Sequence, residues 1–212
     1  MGSRKQKEDF DRLAQEWDTN PERVRRARAV AKRIRRRLPL KKDMNVMDFG
    51  TGTGLLLFEF LPYVRTITAV DNSKNMLAVL REKAQRFGAD NIETLLCDIE
   101  LENLPIERFE LVTSLMTLHH IRNIPDALHK LYIALRPGGY LALADLFTES
   151  GDYHSDAEVT HHFGFEPQAL KKILEEFGGV NIEFEKVSTV TKKVQSGALK
   201  EFPIFLLTAQ KP

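Results

Sequence analysis

The sequence predicts an α/β protein: a doubly wound, seven-stranded, mostly parallel sheet with helices ahead of it and a C-terminal antiparallel hairpin. Three observations predict this. From residue 45, apolar strand-like runs alternate with amphipathic helical runs. The first 43 residues are helical in pattern and highly charged. The last 33 hold two β-rich runs with no helix between them. Strands separated by helical segments form parallel βαβ units with right-handed crossovers, whereas strands joined without a helix pair as a hairpin.

The N-terminal segment is justified first. Val24, Ala27, Val30, Ala31, Ile34 and Leu38 recur at three- and four-residue spacing, which is an amphipathic helix. Asn20-Pro21 starts it and Pro39 stops it. Nine basic residues crowd Arg23–Arg37, and their simplest reading is a solvated helix face rather than a nucleic-acid surface. Strand-like runs follow at Val46–Phe49, Thr66–Val70, Ile92–Leu96, Leu111–Leu115 and Tyr140–Leu146. Between and after them, Leu55–Leu61, Lys74–Phe87, Ile124–Leu135 and Pro167–Phe177 read as helices. Val180–Val190 and Pro203–Ala209 form the expected hairpin.

Composition narrows the function classes. The 212 residues are 42% apolar, enough for a packed core, and one domain is expected. Basic and acidic residues nearly cancel, 31 against 30, so no global field draws the chain to nucleic acid or a membrane. No apolar run approaches the length of a membrane span. A single cysteine, Cys97, fits a reducing compartment, and Met1–Lys5 lack the apolar stretch of a signal peptide. The expected location is cytoplasmic.

The chemistry is concentrated at the strand ends. In an open parallel sheet, ligands sit beyond the carboxyl ends of the strands where strand order reverses. Strand one ends in Asp48-Phe49-Gly50-Thr51-Gly52-Thr53-Gly54. Such glycines permit positive φ and let a ligand touch the backbone, and a helix start behind them offers free N–H groups. Strand two ends at Asp71-Asn72, seventeen residues after Gly54, where a carboxylate can accept both hydrogen bonds of a ribose diol. Strand three ends at Cys97-Asp98-Ile99, suited to an adenine amino group and ring nitrogen, or alternatively to a helix N-cap. Strand four ends at Thr113-Ser114-Leu115-Met116, and strand five at Asp145.

Asp48–Gly54, Asp71, Asp98, the strand Phe109–Ser114 and Arg136-Pro137-Gly138-Gly139-Tyr140 together resemble the ordered motifs of class I S-adenosylmethionine-dependent methyltransferases. The branch most resembled includes the ubiquinone and menaquinone biosynthesis enzymes. The resemblance implies a Rossmann-like fold and S-adenosylmethionine as cofactor. Gly50, Gly52 and Gly54, with Thr51, would lie against its methionine part. Asp48 would help orient its ammonium, Asp71 and Asn72 would hold the ribose, Asp98 and Ile99 the adenine, and the Ser114–Leu115 backbone would line the methionyl side. It implies an organisation in which 1–43 is a helical cap, 44–147 the cofactor-binding core, and 148–212 a substrate loop, helix and closing hairpin. Ser114-Leu115-Met116-Thr117 stands where nucleic-acid methyltransferases carry an Asn/Asp-Pro-Pro-aromatic tetrad, and Thr113–His120 lacks the glutamate pair of protein arginine methyltransferases. Both departures favour a small organic acceptor over RNA.

Methyl transfer from a sulfonium needs positioning and water exclusion, and a base only where the acceptor must lose a proton. His119 and His120, just past strand four, are the base candidates; a histidine titrates near neutrality. Trp17, Asp145, His161 and His162 are the candidates for the acceptor side, with Phe10 and Trp17 capping it. His161 and His162 diverge on either a strand or a helix, so no metal site is expected from the cluster they form with His154. The chain is expected to act as a monomer or homodimer.

Overall fold

The computed structural model describes residues 2–154 and 160–212, with side chains from Glu8 onward. Seven strands form one sheet: β1 Asn45–Phe49, β2 Thr66–Asp71, β3 Ile92–Leu96, β4 Phe109–Leu115, β5 Leu135–Leu146, β6 Val180–Lys193 and β7 Leu199–Gln210. Their order across the sheet is β3-β2-β1-β4-β5-β7-β6. The first five are parallel, and β7 runs antiparallel between β5 and β6. Strand order reverses between β1 and β4, which is where a ligand cleft opens. The doubly wound sheet with its terminal hairpin is as the sequence predicts.

Five helices of more than two turns are present among the described residues: α1 Gly2–Leu13, α2 Pro21–Arg37, α3 Lys74–Phe87, α4 Ile124–Ala134 and α5 Pro167–Glu176. Local chemistry fixes their ends. Asn20 caps α2 by accepting from the Glu22 N–H, with Pro21 at the first helical position. Leu38 then turns extended ahead of Pro39, as a residue before proline must. Ser73 caps α3, and Gly88 closes it at φ 63°.

Successive strand residues feed opposite layers, because side chains alternate across a sheet. Val46, Leu111, Ile204 and Leu206 pack with Val30, Ala31 and Ile34 of α2. Met47, Val112, Phe205 and Leu207 pack with Leu128 and Leu131 of α4 and Leu174 of α5. Both faces are covered, so the central strands read as unbroken apolar runs rather than alternating ones. No helix among the described residues is long and apolar enough to cross a membrane.

One expected element is absent. Leu55–Leu61 is not an α-helix; two short 3-10 turns, Leu57–Glu59 and Leu61–Tyr63, carry the chain from β1 to β2. Pro62 supplies no N–H, and its ring would clash with the carbonyl of Phe58 in a continuous helix. Leu56, Leu57 and Phe60 are nonetheless buried, so the apolar spacing serves the core without forming the helix.

The basic face of α2 is largely paired within the chain. Arg33 and Arg37 both engage Glu185 on β6, Arg37 also engages Glu183, and Arg28 meets Glu59. The Arg33 hydrogen bonds hold the Glu185 carboxyl below its usual range. A depressed carboxyl contributes stability that is complete above its unfolded value and is lost as pH falls toward the folded one. Glu185→Gln should therefore lower stability by about 1 kcal/mol at pH 7, with the difference shrinking below pH 4. Thermal unfolding across pH 3–8 checks this.

Candidate active site

The turn after β1 is built by its own neighbours. Gly50, Gly52 and Gly54 all have positive φ. At Gly50 a Cβ would lie 2.1 Å from the Thr117 Oγ1, so only glycine lets the β4 exit close against the turn. Asp48 is buried; its Oδ2 accepts from the Thr51 hydroxyl and its Oδ1 from the Thr113 hydroxyl, both at 2.7 Å. Burial pushes this carboxyl up to about 6 against those two bonds. Asp48 thus braces the turn against β4. Asp71, at the end of β2, accepts from the Gly52 N–H at 2.7 Å and from the Ser73 N–H at 2.8 Å. Burial pushes it, too, up to about 6. With no helix N-terminus behind the turn, these two carboxylates set its shape.

Over the turn lies a cavity of about 700 Å³. Its floor is the row of strand ends: Asp48, Gly50, Thr51 and Gly52 from β1, Asp71 and Asn72 from β2, Asp98 and Ile99 from β3, and Leu115 from β4. A Cβ on Gly52 would meet nothing nearer than 3.8 Å, so this backbone faces open space. Asp98 accepts from the Glu100 N–H, leaving its carboxylate at the rim. The roof is the N-terminal segment, with Phe10 and Trp17 meeting edge to face at 5.7 Å. Four polar ties hold it down. Asp11 accepts from the Ser73 hydroxyl and the Asn75 N–H. Asp18 accepts from the Thr53 hydroxyl and pairs with Lys83 at 2.6 Å.

The far end is cationic and imidazole-rich. His119 and His120 form a 3-10 turn with Leu118 just past β4. His119 is 1% exposed, and its Nδ1 lies 2.6 Å from Oδ1 of the fully buried Asp145. The Asp145 Oδ2 accepts from the His119 N–H. His154 stacks near both, and burial pushes it down to about 3, so it is a neutral ring. Tyr153, Arg23, Arg26 and Lys192 complete this end. Lys192 donates to the Tyr153 carbonyl at 2.5 Å, and the Arg26 Nη1 reaches the Tyr153 hydroxyl at 3.5 Å. Burial lowers the pKa of Arg23 and of Lys192.

Several expected site residues lie elsewhere. Gly54 faces Phe58 and Leu80 rather than the cavity. Ser114 is buried in β4 opposite Phe49, and Leu115 lines the cavity instead. Asp145 is not at the acceptor surface but beneath His119. His161 and His162 do not line the cavity; their N–H groups donate to the His119 carbonyl at 3.0 and 3.1 Å and so steady that turn from outside. Sequence reasoning passed over Tyr153, Arg23, Arg26 and Lys192 as site residues, and grouped His154 with the wrong histidines. Nothing in the local sequence announces their meeting, which depends on the loop after β5 and the register of β6.

Thr113→Val keeps the shape of β4 and removes one of the two hydroxyls on a buried carboxylate. It should cost about 1.5–3 kcal/mol, read as a lowered urea midpoint with an unchanged slope.

Comparison with known proteins places the chain. A methyltransferase domain model matches residues 22–183. An uncharacterized methyltransferase of Schizosaccharomyces pombe is 28% identical over 158 residues, covering 68% of this chain and 56% of that protein. A malonyl-[acyl-carrier protein] O-methyltransferase of Enterobacter lignolyticus is 33% identical over 141 residues, covering 66% and 53%. The chain thus spans about half the length of the curated relatives it matches. Phosphoethanolamine N-methyltransferase 2 of Haemonchus contortus, solved with S-adenosyl-L-methionine, superposes with a TM-score of 0.71 at 18% identity, over 86% of this chain and 52% of that one. With the glycine turn, the strand-end carboxylates and the strand order already in place, the matched span leaves one conclusion: this chain belongs to the methyltransferase domain family.

Proposed function

We propose that the chain transfers a methyl group from S-adenosylmethionine to a small organic acceptor that carries an anionic group. One observation carries the reading. A single cavity joins the strand-end carboxylates and glycine turn at one end to Arg23, Arg26, Lys192 and three histidines at the other.

The first end fits the donor. Each Asp71 oxygen accepts one N–H and keeps a lone pair for a ribose diol. Asp98 and the buried Ile99 offer an acceptor and an apolar wall for the adenine, with Met76 and Leu115 beside them. The open Gly52 backbone takes the methionine part, and Asp48 shapes that surface through Thr51. When bound, the sulfonium supplies a methyl group already activated for displacement. The protein orients the two reactants and excludes water, which the Phe10–Trp17 roof and its Asp11 and Asp18 ties accomplish.

The second end fits the acceptor. The Arg26 Nε is buried with no hydrogen-bond partner among the described residues, a donor suited to an anion. Lys192 and Arg23 share the same wall. The acceptor's lone pair bonds the methyl carbon as the carbon–sulfur pair returns to sulfur. His119 Nε2 faces the acceptor's nucleophilic group and takes the proton that an O–H or N–H acceptor sheds, its ring held by Asp145. The Enterobacter lignolyticus relative is named as an O-methyltransferase of malonyl-[acyl-carrier protein], and a malonyl group carries such an anionic carboxylate.

Isothermal calorimetry tests the donor site. Asp71→Ala should weaken S-adenosylmethionine binding about 10- to 100-fold, and an unchanged affinity overturns the ribose assignment. In the wild type, affinity should fall as pH drops through about 6, because Asp71 titrates there and loses acceptor capacity on protonation.

The acceptor site is tested with labelled S-adenosylmethionine and a small-molecule metabolite pool. An anionic compound should gain the label. Lys192→Ala should raise its KM about tenfold with donor affinity unchanged. Label entering RNA instead refutes the small-molecule reading.

A further inference from the structure

The histidine end of the cavity has an arrangement that proton transfer alone does not use. His119, His120 and His154 each offer one ring nitrogen, and these nitrogens lie within 4.8 Å of one another. The ring centroids are 4.0 Å apart for His119–His120, 5.0 Å for His119–His154 and 5.2 Å for His120–His154. Two of the rings come from the turn after β4, and the third lies 34 positions later, after β5.

The tautomer of the central ring is fixed. His119 Nδ1 sits 2.6 Å from Asp145 Oδ1, and that oxygen also accepts the Leu146 N–H at 2.7 Å. The carboxylate takes the Nδ1 proton as its hydrogen-bond donor, so Nε2 is the ring nitrogen turned away from Asp145 and left for a ligand. That Nε2 is buried and has no hydrogen-bond partner among the described residues, and the same holds for the His154 Nε2. Buried polar atoms left without protein partners call for an explanation, and a bound ion is among the recognised ones.

We propose that His119, His120 and His154 form a three-imidazole site for a divalent transition-metal ion, zinc above all, whose fourth position opens into the acceptor end of the cavity. Three features of the site support the choice. The donors are all imidazole nitrogens, which suit zinc and its neighbours and exclude magnesium and calcium as natural occupants, since those take oxygen ligands. Three protein ligands with an open position is the pattern of a reactive zinc site rather than a closed structural one. Asp145 supplies the carboxylate behind a ligating histidine that orients the ring and raises its basicity. Tetrahedral bonds of about 2.0–2.1 Å place the ligand nitrogens about 3.3 Å apart, so the rings close in by roughly 1.5 Å at most. His119 is locked by Asp145, and the movement falls to His120 and His154, both partly exposed.

The inference rests on the reading of this end as the acceptor subsite and deepens it. With the ion in place, the His119 lone pair binds metal instead of taking a proton. The favoured acceptor is then one whose nucleophilic atom can itself ligate the ion, a hydroxyl or a thiol. Its acidity rises beside the ion, so it gives its proton to solvent on binding, before the cover closes, and the metal-bound alkoxide or thiolate then bonds the methyl carbon as the carbon–sulfur pair returns to sulfur.

The test uses the full chain, stripped with a chelator and titrated with zinc alone against a chromophoric competitor, without S-adenosylmethionine. One ion per chain should bind. His154→Ala and His120→Ala should each weaken binding at least tenfold, and Asp145→Asn about 10- to 100-fold through the second ligand shell. Cobalt in place of zinc should give the intense visible bands of a tetrahedral site, and these should vanish in His154→Ala. His154 is partly exposed, so that variant stays informative even if changes at the buried His119 prevent folding. Absence of stoichiometric zinc binding, or equal affinity in wild type and His154→Ala, overturns the metal site. Failure of the methyltransferase reading would show separately, as absent S-adenosylmethionine binding by calorimetry.

Discussion

The shape of the Gly50–Gly54 turn is the constraint on which the rest of the site depends, and it is held by two carboxylates, Asp48 buried and Asp71 partly so. Asp71 reaches across from β2 to the Gly52 N–H, and Asp48 ties Thr51 to Thr113 on β4. Three parallel strands are therefore joined at one point, where the sheet order reverses. Burial alone disfavours both charges and pushes both carboxyls up to about 6. Each is kept in place by hydrogen bonds that favour its ionised form. The absence of an α-helix after the turn makes this bracing necessary: no aligned peptide dipoles steady the loop, so side chains must.

The roof depends on the same point. Asp18 holds the hydroxyl of Thr53 inside the turn, and Lys83 of α3 bridges Asp18 to the Thr53 carbonyl. Asp11 uses the Ser73 hydroxyl, which in turn caps α3 two residues past Asp71. The N-terminal segment is thus anchored on the elements that would hold the donor, while its own core contact is small: Ala14, Met76 and Val79 with Phe10 and Trp17. A segment with few apolar contacts and several polar ties can open without unfolding the sheet. That property suits a cover that must admit both reactants and then exclude water.

How much of this was legible in the sequence follows from how local each feature is. Seven strands and their order of appearance are readable because each holds β-branched or apolar residues, clustered in the central strands and interleaved with polar ones in β3 and β6, between turn or helix signals. Gly50, Gly52, Asp71 and Asp98 were readable because the βαβ geometry places strand ends in a row. The leucine spacing of Leu55–Leu61 predicts a helix, but the segment forms two short 3-10 turns whose apolar side chains serve the core, with Pro62 inside the second. Asp145 is expected at the acceptor side from its place at a strand end, but its side chain, like that of Ser114, is buried in the protein. Asp145 is then claimed by His119. His154, Tyr153, Arg26 and Lys192 were not readable together. Lys192 reaches Tyr153 only because β6 pairs with β7 and β7 with β5, in a register that carries two irregularities.

This difference in legibility separates the two halves of the cavity physically. The donor half is made by consecutive parallel strands, whose ends are fixed by the sheet itself. The acceptor half is assembled from α2, the turn after β4, the loop after β5 and the far end of β6, four pieces with no shared ladder between them. Its order comes instead from side chains: Arg33 and Arg37 clamp α2 to Glu185 on β6, and the loop at 161–162 hangs on the His119 carbonyl. A wall built from such pieces can change its chemistry residue by residue while the sheet and the turn stay as they are. On the proposed reading, the cations of α2 and β6 and the imidazoles behind them set the choice of acceptor, and the glycine turn holds the methyl donor against which they work.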